Sequence, residues 1–299
     1  MTIVEKEKAL EAFFQKQKKV IIAFSGGADS SLLASAAMSA AADGVHSLAI
    51  TVKMELVSDR EIENARAAAV EIGIRHIIIE KEMLKNPEIE NNLQNRCYAC
   101  KKELLNLLLE YAAENGFEIV VEGTNHSDKL MSETGKIPRP GWTFISEQKE
   151  RQSEKERQSK NENGRPVLMT PLTDLEITKE DVRELLKRKN LSTAFKPSGS
   201  CLATRLPYNS KLTRNLLKTI DTAEEMLAGA GAKQIRVRCH TDAAGRNIAR
   251  VEVGSDEGGI FFDGKNKEKI DEFISFLKQN GFAYVTVDLE GFRSGSMDI

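Results

Sequence analysis

The stretch Val20-Ile21-Ile22-Ala23-Phe24-Ser25-Gly26-Gly27-Ala28-Asp29-Ser30 decides the fold. Its first five residues are continuously apolar, which is typical of a strand buried on both faces of a parallel sheet. Two glycines follow closely, and an alanine-rich helical pattern then occupies 30–43. The stretch therefore predicts a buried strand that leads through a short glycine-containing loop into a helix.

The same alternation of strands and helices continues through the first half of the chain. Short, mostly β-branched runs at 47–52, 76–79 and 118–121 predict three more buried strands, and helical patterns lie at 58–72 and 97–115. Strand–helix–strand repetition at this spacing indicates an α/β fold with a doubly wound parallel sheet. Ligands of such folds bind at the carboxyl ends of the strands, which is where the glycine loop lies.

The loop Ser25–Ser30 has the composition of an anion-binding loop. Glycines let the main chain approach a ligand closely, and the loop N–H groups together with the helix N-terminus form an anion cradle. Ser25 and Ser30 add hydroxyl donors, and Asp29 is suited to hold a magnesium ion (Mg2+) that bridges phosphates. The alternative is a tight strand–helix turn that merely contains glycine. The full pattern Ser-Gly-Gly-x-Asp-Ser in this context favours phosphate binding.

A different pattern follows a predicted helix at 178–190. The expected elements are a helix, two strands, a second helix and a last strand, at 212–228, 234–240, 248–253, 266–279 and 282–289. The strands alternate between apolar and polar residues, which is typical of a sheet with one face packed on helices. We therefore expect two domains, an α/β domain over 1–195 and a smaller C-terminal α+β domain over 196–299.

Alternation divides the C-terminal strands into two faces. The face expected to pack carries Ile235, Val237 and Cys239. The other face, expected to be open, carries Arg236, Arg238 and Arg250. Guanidinium forks bind phosphate and carboxylate bidentately, so this face predicts an anion site, which Arg293 would join from the end of the last strand. The alternative is a solvated face whose arginines pair with Glu252 and Asp288.

Composition excludes several classes of protein. The 299 residues include 43 Lys or Arg and 45 Asp or Glu, so a net charge of −2 gives no global attraction to nucleic acid. No apolar run approaches the roughly 18–20 residues of a membrane span. The first residues lack the pattern of a signal peptide, so we expect a cytoplasmic protein with reduced cysteines. The segment 146–165 has no apolar side chain and predicts a flexible, charged insert or a frayed helix.

The four cysteines divide into three candidates for chemistry and one core residue. Cys239 belongs to the predicted packed face and is interpreted as a small core side chain. Cys97 and Cys100 have the spacing of metal ligands, and Cys201 lies at the predicted domain junction. These three thiols leave four interpretations open: unrelated core residues, structural zinc, a redox pair, or a [4Fe–4S] cluster with one open iron.

The loop Ser25–Ser30 resembles the pyrophosphate loop of the PP-loop ATP pyrophosphatases. Those enzymes split ATP into AMP and pyrophosphate and pass the adenylate to a carboxylate or carbonyl oxygen. Together with this loop, further stretches of the chain resemble one branch of that group, the LarE-type ATP-dependent sulfur transferases. They are Asn95 to Lys101, Glu122 to Asn125 with Asp128, Arg139 to Gly141, Pro197 to Arg205, Arg236 to Arg238, Ala249 to Val253, and Gly291 to Met297.

The resemblance implies a reaction and the groups that carry it. LarE-type enzymes adenylate a carboxylate of a pyridinium biscarboxylate mononucleotide and replace its oxygen with sulfur, for the nickel-pincer nucleotide cofactor of lactate racemase. The implied ATP- and pyrophosphate-binding residues are Ser25, Gly26, Gly27, Asp29, Ser30 and Gly123. Asp29 and Cys201 would be catalytic. The implied substrate- or anion-binding residues are Arg205, Arg236, Arg238, Arg250 and Arg293.

Two sulfur-delivery mechanisms exist among LarE-type enzymes. One subgroup has only the cysteine that matches Cys201, sacrifices its sulfur and ends as dehydroalanine. Another has three cysteines, matching Cys97, Cys100 and Cys201, and is thought to hold a [4Fe–4S] cluster that passes on a sulfide. This sequence has the three-cysteine pattern. The resemblance further implies a sulfide or other sulfur donor, and a homo-oligomer such as a hexamer, with the C-terminal domain serving substrate binding or oligomerisation.

Two other functions are open at this level. A PP-loop tRNA thiolase uses the same adenylation, but tRNA binding requires a basic surface, and a pI near 6.2 argues against it. A zinc-stabilised ATP-binding module without catalysis is the second alternative. The order of the matching stretches along the chain favours the sulfur transferase.

Overall fold

The computed structural model describes residues 1–133, 143–148, 150, 166–197, 199–293 and 296–297. The predicted insert lies mostly outside these residues, as do 139–141 of the resemblance. The chain divides into two compact units. The first comprises Met1–Met54, Glu61–Lys81 and Asn95–Gly199; the second comprises Glu55–Arg60, Glu82–Gln94 and Ser200–Ile299. The sequence pattern gave no sign that 55–60 and 82–94 pack with the C-terminal unit.

A five-stranded parallel sheet forms the centre of the first unit, in the order β3-β2-β1-β4-β5. Its strands are β1 Lys19–Ala23, β2 His46–Lys53, β3 His76–Glu80, β4 Ile119–Val121 and β5 Val167–Met169. In β1, Val20, Ile21 and Ile22 are completely buried, as continuous apolarity predicts. The predicted α/β fold with a parallel sheet is confirmed. Strand β5 has only three residues and was not predicted.

Helices alternate with these strands along the chain. They are α1 Ile3–Gln15, α2 Ala28–Ser39, α3 Asp59–Ile72, α4 Pro87–Glu90, α5 Arg96–Glu114, α6 His126–Glu133, α7 at 143–148, α8 Pro171–Asp174 and α9 Lys179–Arg188. Of these, α4 belongs to the second unit, with the start of α3. Helix α1, which was not predicted, begins at a capping box between Thr2 and Glu5. The alanines of α2 allow close packing on the sheet, and Ala34 and Ala37 are completely buried.

The second unit contains a three-stranded mixed sheet. Its elements are α10 Arg214–Gly229, β6 Ile235–Thr241, β7 Asn247–Val253, α11 Lys267–Gln279 and β8 Phe282–Val287. Strand β7 lies in the middle, antiparallel to β6 and parallel to β8. The buried sides of α10 and α11 carry apolar residues such as Leu217, Ile220 and Phe273. The predicted smaller C-terminal sheet is therefore present.

The two faces predicted for β6 are assigned correctly, but one of them is not open. Ile235, Val237 and Cys239 are buried, as expected. On the opposite face Arg238 is only 3 % exposed, and its neighbour Glu252 on β7 is completely buried. The expectation of an open face was therefore wrong at Arg238, which is covered because it pairs with Glu252 of the adjacent strand, whereas Arg236 and Arg250 are half-buried.

No helix within the described part of the chain is both long enough and apolar enough to cross a membrane.

Candidate functional site

The glycine loop follows β1 and leads directly into α2, as the sequence predicts. Gly26 adopts a left-handed backbone conformation with φ +64°. A Cβ at Gly26 would lie 2.5 Å from the Cα of Ala65 in α3, so the loop passes against the backbone of that helix. Gly27 is the N-cap of α2 and has an extended conformation, with φ −86° and ψ 171°. Glycine at Gly26 is therefore required both by the backbone conformation and by the available space.

The two serines of the loop are joined by hydrogen bonds. The Ser25 and Ser30 hydroxyl oxygens lie 3.2 Å apart, and Ser30 also donates to the Gly27 carbonyl at 3.2 Å. The Gly27 N–H donates to Ser25 Oγ at 3.3 Å. Ser25 is exposed, whereas Ser30 is buried beneath it. These bonds fix the loop in a curve at the helix N-terminus, where N–H groups bind anions.

Asp29 lies on the first turn of α2 and is held from two sides. Its Oδ1 accepts a hydrogen bond from Asn125 Nδ2 at 3.1 Å, and its Oδ2 pairs with Lys179 at the start of α9. Gly123 is in close contact with this turn, since a Cβ there would lie 3.2 Å from Asp29 Cβ. The loop, Asp29 and Gly123 thus form one cluster, in which a metal ion would compete with Lys179 for the carboxylate.

A buried ion pair lies on the same chain segment as Gly123. Glu122 pairs with Lys101 of α5 and accepts the Thr124 N–H at 2.9 Å. Burial by itself raises the pKa of the Glu122 carboxyl, but the Lys101 charge and the hydrogen bonds from Lys101 and Thr124 outweigh burial and hold the pKa below its usual value. Glu122 is therefore ionised at neutral pH and fixes the turn that carries Gly123 and Asn125.

Two of the candidate cysteines lie on one helix. Cys97 and Cys100 are on the first turns of α5, three residues apart and so on neighbouring positions of one face. Cys97 is exposed and Cys100 is half-buried, with its Sγ 3.9 Å from Met54 Sδ. Cys201 belongs to the second unit, where it is exposed. Within either unit, the described residues form no group of three or more metal-binding side chains.

Cys201 is held by the backbone around it. It precedes a short 3-10 helix, Leu202–Arg205, and its carbonyl accepts the Thr204 N–H at 3.0 Å and the Thr204 hydroxyl at 2.7 Å. Cys239, by contrast, is buried on β6, and burial raises the pKa of its thiol to about 11. The interpretation of Cys239 as a core side chain is confirmed.

Arg205 is buried and committed to partners within the protein. Its guanidinium forms a bidentate pair with Glu224 of α10, with distances of 2.7 and 2.9 Å. Its Nη1 donates to Ser200 Oγ at 2.6 Å and to the Cys201 carbonyl at 3.3 Å. The Glu224 carboxylate also accepts the Val237 N–H of β6. In this arrangement Arg205 holds the segment that carries Cys201.

A chain of alternating charges covers the arginine face of β6 and β7. Arg238 donates to Glu252 at 2.9 Å, Glu252 pairs with Arg250 at 3.1 Å, and Arg250 pairs with Asp288 at 2.6 Å. Arg293, which is 45 % exposed, continues the series to Asp288. The partners that the sequence offered as an alternative, Glu252 and Asp288, are thus the observed ones. With Arg205, four of the five predicted anion-binding arginines are therefore already charge-paired.

Arg236 differs from the other arginines of this face. Among the described residues, no carboxylate lies within ion-pair distance of it, and its guanidinium lies over the Phe292 ring at 5.1 Å. Burial, followed by the nearby charge of Arg205, lowers the pKa of Arg236 to about 10. A half-buried cation without a carboxylate partner is a favourable position for an anionic ligand.

Sequence reasoning missed several residues of these clusters. Lys179 and Glu224 follow no recognisable motif, and each reaches its partner from a distant part of the chain. Asn125 and Glu122 lie in a stretch quoted for the resemblance, but no role was assigned to them. The helix at 178–190 was predicted, and the capping box of Thr178 and Asp181 fixes its start at Lys179, but neither signal indicates that Lys179 reaches Asp29.

Comparison with known proteins assigns the chain to a family. The family described as PP-loop domain matches residues 2–194. The chain is 33 % identical over 289 residues to an uncharacterised protein of Synechocystis sp., covering 97 % of this chain and 95 % of that protein. It is 30 % identical over 301 residues to the pyridinium-3,5-bisthiocarboxylic acid mononucleotide synthase of Lactiplantibacillus plantarum, covering 99 % and 95 %. An uncharacterised protein of Methanocaldococcus jannaschii is 30 % identical over 279 residues, covering 93 % and 92 %.

The parallel sheet, the glycine loop and the family match define the class: the chain belongs to the PP-loop domain family. Within that family it is a LarE-type protein, since its similarity to the Lactiplantibacillus synthase extends along nearly the whole of both chains. The predicted resemblance is therefore confirmed, together with the coarser prediction of an ATP-using enzyme of this type.

Proposed function

We propose that this chain is an ATP-dependent sulfur transferase that acts on a carboxylate of a pyridinium biscarboxylate mononucleotide. The observation that carries the proposal is the anion-binding loop Ser25–Ser30 in a chain that aligns from end to end with a bisthiocarboxylic acid mononucleotide synthase. The product would belong to the synthesis of a nickel-pincer nucleotide cofactor and serve lactate racemase maturation. We place the reaction in the cytoplasm.

The proposed reaction has two steps. A carboxylate oxygen of the substrate attacks the α-phosphorus of ATP, and pyrophosphate leaves with the electron pair of the broken bond. A sulfur nucleophile then adds to the acyl carbon, and AMP leaves with the former carboxylate oxygen, so that a carbon–sulfur bond replaces a carbon–oxygen bond. Activation is needed because a free carboxylate oxygen is a poor leaving group.

The loop residues would bind the pyrophosphate part of ATP. Ser25, Gly26, Gly27 and Ser30 present N–H and hydroxyl groups at the start of α2. Asp29, whose carboxylate is paired with Lys179, would be the residue that holds Mg2+, and the ion would offset the negative charge of the phosphates. Gly123 leaves room for the nucleotide beside this turn, because a larger residue would press on Asp29.

The arginines would recognise the anionic groups of the mononucleotide. Arg236 is the leading candidate, because no carboxylate among the described residues occupies it. Arg238 and Arg250 would exchange part of their pairing with Glu252 and Asp288 for ligand oxygens, and Arg293 would contribute from the exposed end. Arg205 would act on Cys201 rather than on the substrate, since its donors are used within the protein.

The thiols present fit an iron–sulfur cluster in their chemistry. Cys97 and Cys100 occupy neighbouring positions of one helix face, and Cys97 and Cys201 are both exposed. We propose these three as ligands of a [4Fe–4S] cluster, which when bound would supply a sulfide as the nucleophile. The exposed Cys201 also supports the alternative, in which its own sulfur is transferred. Sulfide or another donor would be the sulfur source, and a homo-oligomer the working form.

An anaerobic reconstitution tests the proposal. The protein is incubated with ATP, Mg2+, sulfide and the biscarboxylate mononucleotide, and mass spectrometry detects the thiocarboxylate while a coupled assay detects pyrophosphate. About four irons per chain are expected, and substitution of Cys97, Cys100 or Cys201 by Ala should remove them, whereas Cys239→Ala should keep them. An active protein without iron, whose Cys201 becomes dehydroalanine, would establish sacrificial transfer. Absence of pyrophosphate release with this substrate would refute the proposed reaction.

A further inference from the structure

A lysine outside the predicted site contacts the glycine loop. Lys196 Nζ donates to the Gly26 carbonyl at 3.1 Å and to Glu61 Oε2 at 2.8 Å, all within the first unit. Its side chain is 16 % exposed, so the ammonium is largely withdrawn from water. Lys196 thus joins the loop after β1 to the first turns of α3.

The backbone on the N-terminal side of Lys196 is anchored. Arg183 of α9 donates to the Ala194 carbonyl at 3.1 Å and to the Lys196 carbonyl at 3.4 Å. Ser192 donates its N–H and its hydroxyl to Glu71 at 2.8 and 2.6 Å. Holding two acceptors still costs the Lys196 side chain its rotamer freedom, but it needs no further ordering of the backbone. The contact of Lys196 with Gly26 and Glu61 is therefore supported by the fold of the first unit.

The negative charge of Glu61 is unfavourable beside a loop that binds phosphates. The distances through Lys196 place its carboxylate within about 6 Å of the Gly26 carbonyl, which is inside the ~8–10 Å range over which charges act in salt. Without a counter-charge, this carboxylate would repel a polyphosphate. The Lys196 ammonium neutralises it, and it also fixes the peptide whose N–H groups follow in the cradle.

We propose that Lys196 is a positioning residue for ATP: it neutralises Glu61 and holds the Gly26 carbonyl, without touching the nucleotide itself. The proposal rests on the proposed function only in its first part, the binding of ATP at the loop. The proposal predicts that replacing Lys196 lowers affinity more for ligands with more negative charge, because Lys196 removes a repulsion between Glu61 and the phosphate groups. A purely structural role would affect every ligand of the site alike.

The test measures binding of ATP, AMP and adenosine by calorimetry, with magnesium and without sulfur donor. Lys196→Met should weaken ATP about tenfold or more and AMP less, and leave adenosine within about twofold. Lys196→Arg should retain most of the affinity for ATP, since it keeps the charge. The matched control is Lys8→Met, which removes one exposed positive charge from the same unit and should change none of the three affinities.

Two further variants decide the mechanism. If Lys196 acts by neutralising Glu61, adding Glu61→Gln to Lys196→Met should restore ATP binding to within about threefold of wild type. An unrestored double variant would overturn the proposal, because it would mean that the lost affinity does not come from the uncompensated charge of Glu61. Equal losses for ATP and adenosine would also overturn it.

Failure to fold and failure of the proposed function give different results. Should Lys196→Met not fold, Glu61→Gln alone remains informative: it should bind ATP at least as tightly as wild type, and weaker binding would overturn the proposal. A wild-type chain that binds no ATP would refute the proposed function and this inference together. A wild-type chain and a folded Lys196→Met that bind ATP equally would refute only the inference.

Discussion

Substitution of Gly26 by alanine tests the geometry on which the nucleotide site depends. A left-handed conformation costs a non-glycine residue about 1–2 kcal/mol. The new Cβ would also lie 2.5 Å from Ala65 Cα, so the loop or α3 must move by about 1 Å, which in a packed interior costs about 1–3 kcal/mol more. The expected loss of unfolding free energy is therefore about 2–5 kcal/mol, or roughly 5–15 °C in Tm for a unit of this size.

Two other glycines separate the contributions. Gly44 has φ +85° and nothing lies within 4 Å of the position that a Cβ would take there, so Gly44→Ala should show the backbone cost alone, about 1–2 kcal/mol. Gly27 has a negative φ and its Cβ would meet only the Ser25 hydroxyl at 3.3 Å, so Gly27→Ala should change stability by less than about 1 kcal/mol. Urea unfolding and thermal melting measure all three variants. If Gly26→Ala were no less stable than Gly44→Ala, the close approach of the loop to α3 would be refuted.

Three further outcomes are expected from the described contacts. Glu224→Gln should lower the unfolding free energy by about 3–5 kcal/mol, because it leaves the buried Arg205 charge without a counter-charge. The neighbouring Glu225→Gln loses only an exposed pair with Arg60 and should cost under about 1 kcal/mol. Equal costs for the two variants in denaturant titrations would contradict the buried pairing of Arg205 with Glu224. Since the folded pKa of Glu122 lies below its ordinary value, its pairing adds stability above about pH 4.5 that is lost as pH falls through the folded pKa. Glu122→Gln should therefore flatten this part of the stability–pH curve, and an unchanged slope would argue against the pair. Iodoacetamide at pH 8 should label the exposed Cys97 and Cys201 at least about tenfold faster than Cys239, whose thiol stays protonated and buried. Peptide mass spectrometry measures the three labelling rates, and equal rates would show that strand β6 opens readily.

The fold could be predicted largely because its signals are local. The apolar composition of a run such as Val20 to Phe24 is enough to predict a buried strand, and the serine–glycine loop that follows indicates the turn into α2. Strands β4 and β5 have three residues each, but all three of β4 are β-branched, whereas β5 (Val167–Met169) has only one β-branched residue and gives a weaker strand pattern. Helix α1 has weak amphipathic periodicity. The sequence therefore predicts strands β1 to β4, including the edge strand β3, but not the edge strand β5 or the first helix.

The site was less predictable because its contacts join distant residues. The loop glycines and Asp29 are contiguous, so their role can be inferred from spacing. Nothing local indicates that Lys179 reaches Asp29 or that Lys196 reaches Gly26, across 150 and 170 residues respectively. Alternation placed Arg238 on the correct face, but its burial depends on Glu252 of another strand.

The alternating charges from Arg238 through Glu252, Arg250 and Asp288 to Arg293 also constrain how this protein can diverge. Removing Glu252 leaves the buried Arg238 without its carboxylate, at a cost of several kcal/mol, and removing Arg250 or Asp288 takes one of two partners from each neighbour within the series. Removing two oppositely charged neighbours together costs far less, so the effects of substitutions here are not additive. Related chains should therefore either keep this whole series or have exchanged adjacent members in pairs, and intermediates with one member changed should be scarce among them.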